Sequence, residues 1–217
     1  MGETIHIFLA DDHAMVREGL AALVAKDPAI RVVGQCGDGL KVVQEVERTH
    51  PDVVVLDITM PGLNGLDVCR ELARKFSGKS AVAILILTMH DDEEFIASAL
   101  EHGASGYLLK DSAAEQLCEA IKRVAMGEIF LGPGIPRSAL HRIGQGDDDP
   151  YHRLTTRERQ VLQMVAEGKT NREISEHLSL ATKTIDTHRT RLMRKLGLHD
   201  ATSLVKFALK KGIVSLK

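Results

Sequence analysis

Five short apolar runs, each followed by a stretch of helical periodicity, fill the first 126 residues, and this alternation limits the fold more than any other feature of the chain. Residues 5–10, 31–36, 52–56, 81–87 and 107–109 read as strands, and residues 14–25, 40–48, 65–76, 92–102 and 113–125 read as helices. The strand segments are apolar throughout rather than alternating, so both of their faces are buried. Strands joined through helices run parallel. The expected fold of this part is therefore α/β, a doubly wound five-stranded parallel sheet. In open sheets of this kind a ligand sits beyond the carboxyl ends of the strands, near the point where strand order reverses. The residues delivered there are Asp11 and Asp12 after the first strand, Asp57 after the third, Thr88 after the fourth and Lys110 after the fifth.

Three carboxylates in one crevice repel one another unless a cation lies among them. Oxygen ligands suit a hard ion, and Mg²⁺ prefers a few carboxylates together with waters and phosphate oxygens. A lysine opposite them neutralises an incoming phosphoryl group, and a threonine hydroxyl hydrogen-bonds to one of its oxygens. A carboxylate is itself a nucleophile able to form an acyl phosphate. The set looks built to place a phosphoryl group on an aspartate. Each residue also has a plainer use, since Asp at a strand end commonly caps a helix and a lone Lys is commonly a solvated charge. Five such residues at the ends of four strands argue against coincidence. His13 and His90 flank the site and read as loop residues, because neither has a partner at metal-ligand spacing.

Other uses of the architecture fit less well. A dinucleotide fold needs GxGxxG after its first strand, but that turn reads Asp11-Asp12-His13-Ala14. Gly37-Asp38-Gly39 is a fragment of such a motif and is more simply a turn. A haloacid-dehalogenase-type phosphatase needs a second aspartate two residues after its nucleophile, where this chain has Thr59.

The formal net charge of −2 hides a division. Residues 1–150 hold 14 Lys and Arg against 24 Asp and Glu, whereas residues 151–217 hold 14 against 6. A segment as basic as the second suits a polyanion partner, although such asymmetry also serves to solubilise two domains or to dock them on each other. Between them, residues 127–150 contain Gly132, Pro133, Gly134, Pro136, Gly144, Gly146 and the run Asp147-Asp148-Asp149-Pro150, the composition of a solvated linker. A short amphipathic helix is expected within it, from about residue 137 to 143. The expected domains are thus 1–126, a linker at 127–150, and 151–217.

From Leu154 onward the periodicity is helical only. Thr155 with Glu158, and Thr170 with Glu173, have the spacing of capping boxes, and Asp200 caps a fourth helix after a third at residues 182–196. A short helix, a tight turn and a long basic helix make a helix-turn-helix within a small four-helix, all-α domain. In the long helix Ile185, His188, Leu192 and Leu196 form the inward stripe. The outward face then holds Lys183, Asp186, Thr187, Thr190, Arg191, Arg194 and Lys195, with Thr184 near its start and Arg189 toward its edge. Residues of its first half can reach base edges in a major groove, and the arginines and lysines can neutralise phosphates. Asp186 is an acid on that face, able to accept from cytosine N4 or to penalise wrong sequences.

The segments Leu9-Ala10-Asp11-Asp12-His13, Leu56-Asp57-Ile58-Thr59-Met60-Pro61-Gly62, Leu87-Thr88 and Gly106-Tyr107-Leu108-Leu109-Lys110-Asp111 resemble the receiver domain of two-component response regulators, which is flavodoxin-like. The resemblance implies that Asp57 accepts phosphate from a sensor histidine kinase. It implies that Asp11, Asp12, Asp57 and the main-chain carbonyl of Thr59 hold Mg²⁺, and that Thr88 and Lys110 contact the phosphoryl oxygens. Tyr107 corresponds to the switch aromatic that turns inward as Thr88 moves, and Thr59 and His90 stand where the family tunes dephosphorylation. The remainder resembles the LuxR-type helix-turn-helix of the NarL/FixJ group. Leu154-Thr155-Thr156-Arg157-Glu158-Arg159, Glu167-Gly168-Lys169-Thr170-Asn171, Lys183-Thr184-Ile185, His188 and Arg194-Lys195-Leu196-Gly197-Leu198 carry that likeness. Ala181 stands where a serine commonly caps the recognition helix, a loss of about 1 kcal/mol unless Thr182 substitutes one residue later.

The expectation is a transcription regulator, not an enzyme, whose phosphorylation at Asp57 controls dimerisation and promoter binding. Promoter DNA, a histidine kinase and a second copy of the chain are the expected partners, with RNA polymerase a further candidate. The receiver is expected to mask the recognition helix before phosphorylation, and Leu204, Val205, Ala208 and Leu209 are a candidate dimer surface or simply core. The alternatives are a stand-alone aspartyl-phosphate phosphatase, and a phosphorylation-independent DNA-binding regulator that uses the receiver as a dimerisation scaffold. The longest apolar run, residues 81–87, is too short to span a bilayer, and Asp11 and Asp12 interrupt the N-terminal apolar stretch, so neither a membrane partner nor a signal peptide is expected. Three dispersed cysteines without a CxxC pair suit a reducing, cytoplasmic setting.

Overall fold

The computed structural model describes residues 4–78, 81–142 and 149–214, and these form two compact units. The first holds β1 (Ile5–Ala10), α1 (Ala14–Val24), β2 (Ile30–Cys36), α2 (Gly39–Thr49), β3 (Val53–Leu56), α3 (Gly65–Lys75), β4 (Ala83–Thr88), α4 (Glu93–Glu101), β5 (Gly106–Leu109), α5 (Ala113–Ala125) and β6 (Phe130–Leu131). All neighbouring strands are parallel, in the order β2-β1-β3-β4-β5-β6. Strand order reverses at β1, so the crevice opens between the ends of β1 and β3.

The continuous apolar runs explain the layering. Ile7 and Leu9 of β1, Val53 and Val55 of β3, and Leu85 and Leu87 of β4 share a core with Leu117, Ala120, Ile121 and Val124 of α5. Phe8, Val54, Ile84 and Ile86 alternate with them and are equally buried. Each such side chain contributes roughly 1.5–3 kcal/mol by leaving water.

The sheet has six strands, not the five expected. Phe130 and Leu131 pair in parallel with Gly106 and Tyr107 of β5, and Gly132 N donates to the Tyr107 carbonyl at 2.9 Å. Two residues between glycines show no periodicity, which hid this strand. The stretch expected as linker therefore begins with structure of the first unit: Ile135 and Ala139 are buried, and a 3₁₀ helix at Arg137–Arg142 packs on α4. Ile143, Gly144, Gly146, Asp147 and Asp148 lie outside the described residues.

The second unit holds α6 (Thr156–Ala166), α7 (Asn171–Leu178), α8 (Thr182–Leu196) and α9 (Ala201–Lys210). Asp149, expected to be solvated, instead caps a 3₁₀ turn at Pro150–Arg153 by accepting from Tyr151 N, and pairs with Lys211 at 2.8 Å. Both capping boxes are formed, Thr155 with Glu158 and Thr170 with Glu173, and Asp200 caps α9. Ala181 gives α8 no side-chain cap. Thr182 does not substitute, because its hydroxyl donates to Ser175 Oγ at 3.4 Å. Ser179 ends α7 in the left-handed region at φ 52°, where a non-glycine residue is uncommon. α8 packs against α6 and α7, burying Ile185 and Leu192 fully and His188 and Leu196 in part. In α9, Leu204 and Ala208 are fully buried and so belong to the core, while Val205 and Leu209 stay half-buried.

Candidate functional site

Sheet register assembles the pocket of the first unit. Ala10 lies beside Leu56, so Asp11 and Asp57 leave adjacent strand ends together, and Asp57 N donates to the Ala10 carbonyl at 2.8 Å. Thr88 lies beside Leu109, which places Lys110 one residue past β5. The loop after Asp57 folds back so that Gly65 N donates to the Ile58 carbonyl at 2.8 Å. Only glycine fits there, since a Cβ at residue 65 would sit 2.0 Å from the Asp57 carbonyl oxygen.

Lys110 Nζ lies 2.7 Å from Asp57 Oδ2 and 2.8 Å from Asp11 Oδ2. Asp11 and Asp57 are 2% and 3% exposed, and Thr88 is wholly buried. Burial raises the Asp57 pKa, and the adjacent Lys110 ammonium does not fully offset it. Burial also works against the Lys110 charge, but the carboxylates of Asp57 and Asp11 outweigh it and raise the lysine pKa. Two buried oxygens, Asp11 Oδ2 and Asp12 Oδ1, each face a single partner, Lys110 Nζ and His13 Nδ1, and keep a lone pair to spare. Ligand atoms of Asp11, Asp12, His13 and Asp57 all lie within 4.8 Å of one another. A surplus of buried carboxylate with unused lone pairs fits a hard divalent cation such as Mg²⁺.

His13 lies in the loop between β1 and α1, as expected, and its side chain also meets the acidic cluster. Its Nδ1 lies 2.6 Å from Asp12 Oδ1, and its main-chain N–H donates to Asp11 Oδ1 at 2.8 Å. Arg17 was not singled out in the sequence, yet its guanidinium donates to the Asp11 carbonyl at 2.5 Å. The pocket also connects to Tyr107 through His90. The Thr88 hydroxyl accepts from His90 N at 3.4 Å, and the Tyr107 hydroxyl donates to the His90 carbonyl at 2.9 Å. Tyr107 is fully buried, and burial, with Asp92, Asp57 and Asp91 nearby, raises its pKa. Thr59 Oγ1 lies 3.3 Å from His90 Nε2, so the two residues flanking the pocket touch.

In the second unit α8 divides its charges by direction. Lys183, Asp186, Thr187, Thr190, Arg191 and Arg194 are exposed, and Thr184, Arg189 and Lys195 are half-buried. At 3.6 residues per turn, Arg189 lies about 40° and Lys195 about 80° from the inward direction of Ile185. Lys195 accordingly departs from the outward role expected for it. Its Nζ bonds Glu158 Oε2 at 2.6 Å and the Arg153 carbonyl at 3.0 Å, using two of three donors inside the unit. Arg189 reaches Asn171 of α7. The hydroxyls of Thr187 and Thr190 donate to the carbonyls of Lys183 and Asp186, four residues back.

The response regulator receiver domain matches residues 7–122, and the luxR family of bacterial regulatory proteins matches residues 152–208. The transcriptional regulatory protein DegU of Brevibacillus brevis is 35% identical over 98% of this chain and 96% of its own length. The chain belongs to the response-regulator family. It is a DNA-binding two-component response regulator with a LuxR-type output domain, a transcriptional regulator rather than an enzyme. The oxygen regulatory protein NreC of Staphylococcus carnosus is 37% identical over 96% of this chain and 98% of its own. Among solved structures, the response regulator ChrA of a heme-sensing two-component system aligns over 98% of this chain and all of its own, with TM-score 0.53 and 32% identity.

In this response regulator Asp11, Asp12, Asp57 and Lys110 are brought to one crevice, while Thr88 ends β4 beside Leu109 and is linked to Tyr107 through His90. None of the described helices is long and apolar enough to cross a membrane.

Proposed function

We propose that Asp57 is the phosphoacceptor and that its phosphorylation controls promoter binding by the second unit. The arrangement that carries this reading is the Lys110 ammonium held between two buried carboxylates, Asp57 and Asp11. A carboxylate oxygen of Asp57 attacks the phosphorus of a phosphohistidine on a sensor histidine kinase. The N–P bond breaks, an O–P bond forms, and the imidazole leaves with the electron pair. Asp11, Asp12, Asp57 and the main-chain carbonyl of Thr59 would hold Mg²⁺, which when bound supplies charge neutralisation for the phosphoryl oxygens. Lys110 then moves its bond from the carboxylate to a phosphoryl oxygen, and the Thr88 hydroxyl donates to another.

That last step has a structural consequence. A Thr88 hydroxyl drawn toward the phosphoryl group leaves the His90 N–H, and the His90 carbonyl is the acceptor for Tyr107. The two hydroxyls are thus coupled through one residue of backbone, a bistable element that phosphorylation biases. The phosphorylated chain dimerises, with the half-buried Val205 and Leu209 of α9 a candidate contact, and two copies of α8 read half-sites about one DNA turn apart. Lys183, Thr184, Thr187, Thr190, Arg191 and Arg194 are the proposed contacts. Unphosphorylated receiver masks α8 or prevents dimerisation.

The reading is tested by incubating the chain with Mg²⁺ and a small acyl phosphate. The expected result is a hydroxylamine-labile phosphoryl group on the peptide containing Asp57, absent from Asp57→Asn. Phosphorylation elsewhere, or in that variant, overturns the assignment.

A further inference from the structure

Asn171, the first residue of α7, stands between two residues of α8. Its Nδ2 donates to Asp186 Oδ1, and its Oδ1 accepts from Arg189 Nη1 at 3.0 Å. The neighbours dictate this orientation of the amide, because a carboxylate only accepts and a guanidinium only donates. The Thr170–Glu173 capping box fixes the backbone immediately before Asn171. Turning the amide over would set nitrogen against guanidinium and oxygen against carboxylate, so Asp186 selects the state in which Arg189 is held.

We propose that Asp186 is a positioning residue that acts through Asn171 to hold Arg189 ready for a DNA backbone phosphate, and that it does not read a base. Arg189 points about 40° from the inward direction, too far round the helix for base edges but well placed for the flank. Asn171 takes one of its five donors, leaving the others for a ligand. With Asp186, Thr190, Met193, Arg194 and Asp200, Arg189 lines an open groove of about 670 Å³ beside α8, which gives its free guanidinium edge room to meet a phosphate. One oxygen of the Asp186 carboxylate is held by the amide, which gives an acid on this face a role other than base reading. The inference rests on α8 being the DNA-reading helix.

The experiment uses the full chain with Mg²⁺ and beryllofluoride, and a pool of duplexes with a randomised centre. Enrichment of one motif by the wild-type chain tests the DNA reading itself, and the variants test the brace, so the two fail separately. Asp186→Asn and Asp186→Ala remove the same charge, but only the first can still accept from Asn171. On the duplex most enriched by wild type, Asp186→Asn is expected to bind roughly three- to tenfold more tightly than Asp186→Ala. In an Asn171→Ala background the ratio is expected to fall to about one, with the preferred bases unchanged throughout and unaltered melting of each variant. Arg189→Ala is expected to lower the salt dependence of binding by about one counterion. Equal binding by the two residue-186 variants, a ratio that persists without Asn171, a new preferred base in Asp186→Asn, or an unchanged salt slope in Arg189→Ala would each overturn the proposal.

Discussion

In the first unit three carboxylates share a buried crevice with one lysine, whereas in the second Lys183, Arg191 and Arg194 stand exposed along one face of α8. Both regions carry surplus charge, and water separates their consequences. In the crevice the charges are desolvated, so their mutual energies are large, protonation shifts, and a cation or a phosphoryl group is needed to settle them. On the helix the charges are screened, so they add little to stability and act at a distance on a polyanion, in a manner that salt weakens. Lys195 shows that the contrast follows solvent and not residue type. It lies on the same helix as Arg194, yet its bond to Glu158 makes it part of the fold.

The largest expected effect breaks the crevice. Lys110→Met leaves two buried carboxylates without their cation and should destabilise the first unit by about 3–5 kcal/mol, measured by denaturant titration without divalent ions. Added Mg²⁺ should restore much of it. Glu158→Gln carries the comparison to the second unit and should cost about 1–2 kcal/mol, since its amide oxygen can still serve the capping box but the charge that holds Lys195 is gone. Burial works against the Glu158 charge, but Lys195 and Thr155 outweigh it and hold its carboxyl below the ordinary value of 4.5. The stabilisation is therefore fully present above that value and is lost as pH falls through the lower folded value. The Gln variant should lack this acid dependence in melting experiments.

Asp57→Asn should have the opposite sign. Burial raises the Asp57 pKa above its unfolded value of 3.8, so ionised Asp57 costs stability at neutral pH, and the cost vanishes as pH falls below the unfolded value. The amide variant should melt a few degrees higher without Mg²⁺ at neutral pH and gain nothing at low pH. Arg194→Ala should be the smallest in stability, within about 0.5 kcal/mol of wild type. It should still weaken DNA binding on all sequences and lower the salt slope by about one.

The strand ends were legible because continuous apolar runs and helical periods place Asp11, Asp57, Thr88 and Lys110 without knowledge of any contact. The helix starts were legible at Thr155, Thr170 and Asp200, where a single side chain and a fixed spacing do the capping. β6 was not, since Phe130 and Leu131 are too few to show a period and are held by pairing with β5. Lys195 and Arg189 were placed by angle along one helix, and angle says nothing of Glu158 or Asn171 on the neighbouring helices. His13 read as a loop residue because its partners, Asp11 and Asp12, precede it directly and form no ligand spacing. The role of Gly65 depends on a main-chain approach to Asp57 that no local pattern encodes.

Phosphoryl chemistry at Asp57 is the proposed control over DNA binding. The direct measurement is selection from a randomised duplex pool by wild type and Asp57→Ala, each with and without Mg²⁺ and beryllofluoride. The mimic is expected to tighten sequence-specific binding in wild type and to have no effect in the variant. Equal binding by both proteins, indifferent to the mimic, would contradict that control and leave the receiver as a dimerisation scaffold.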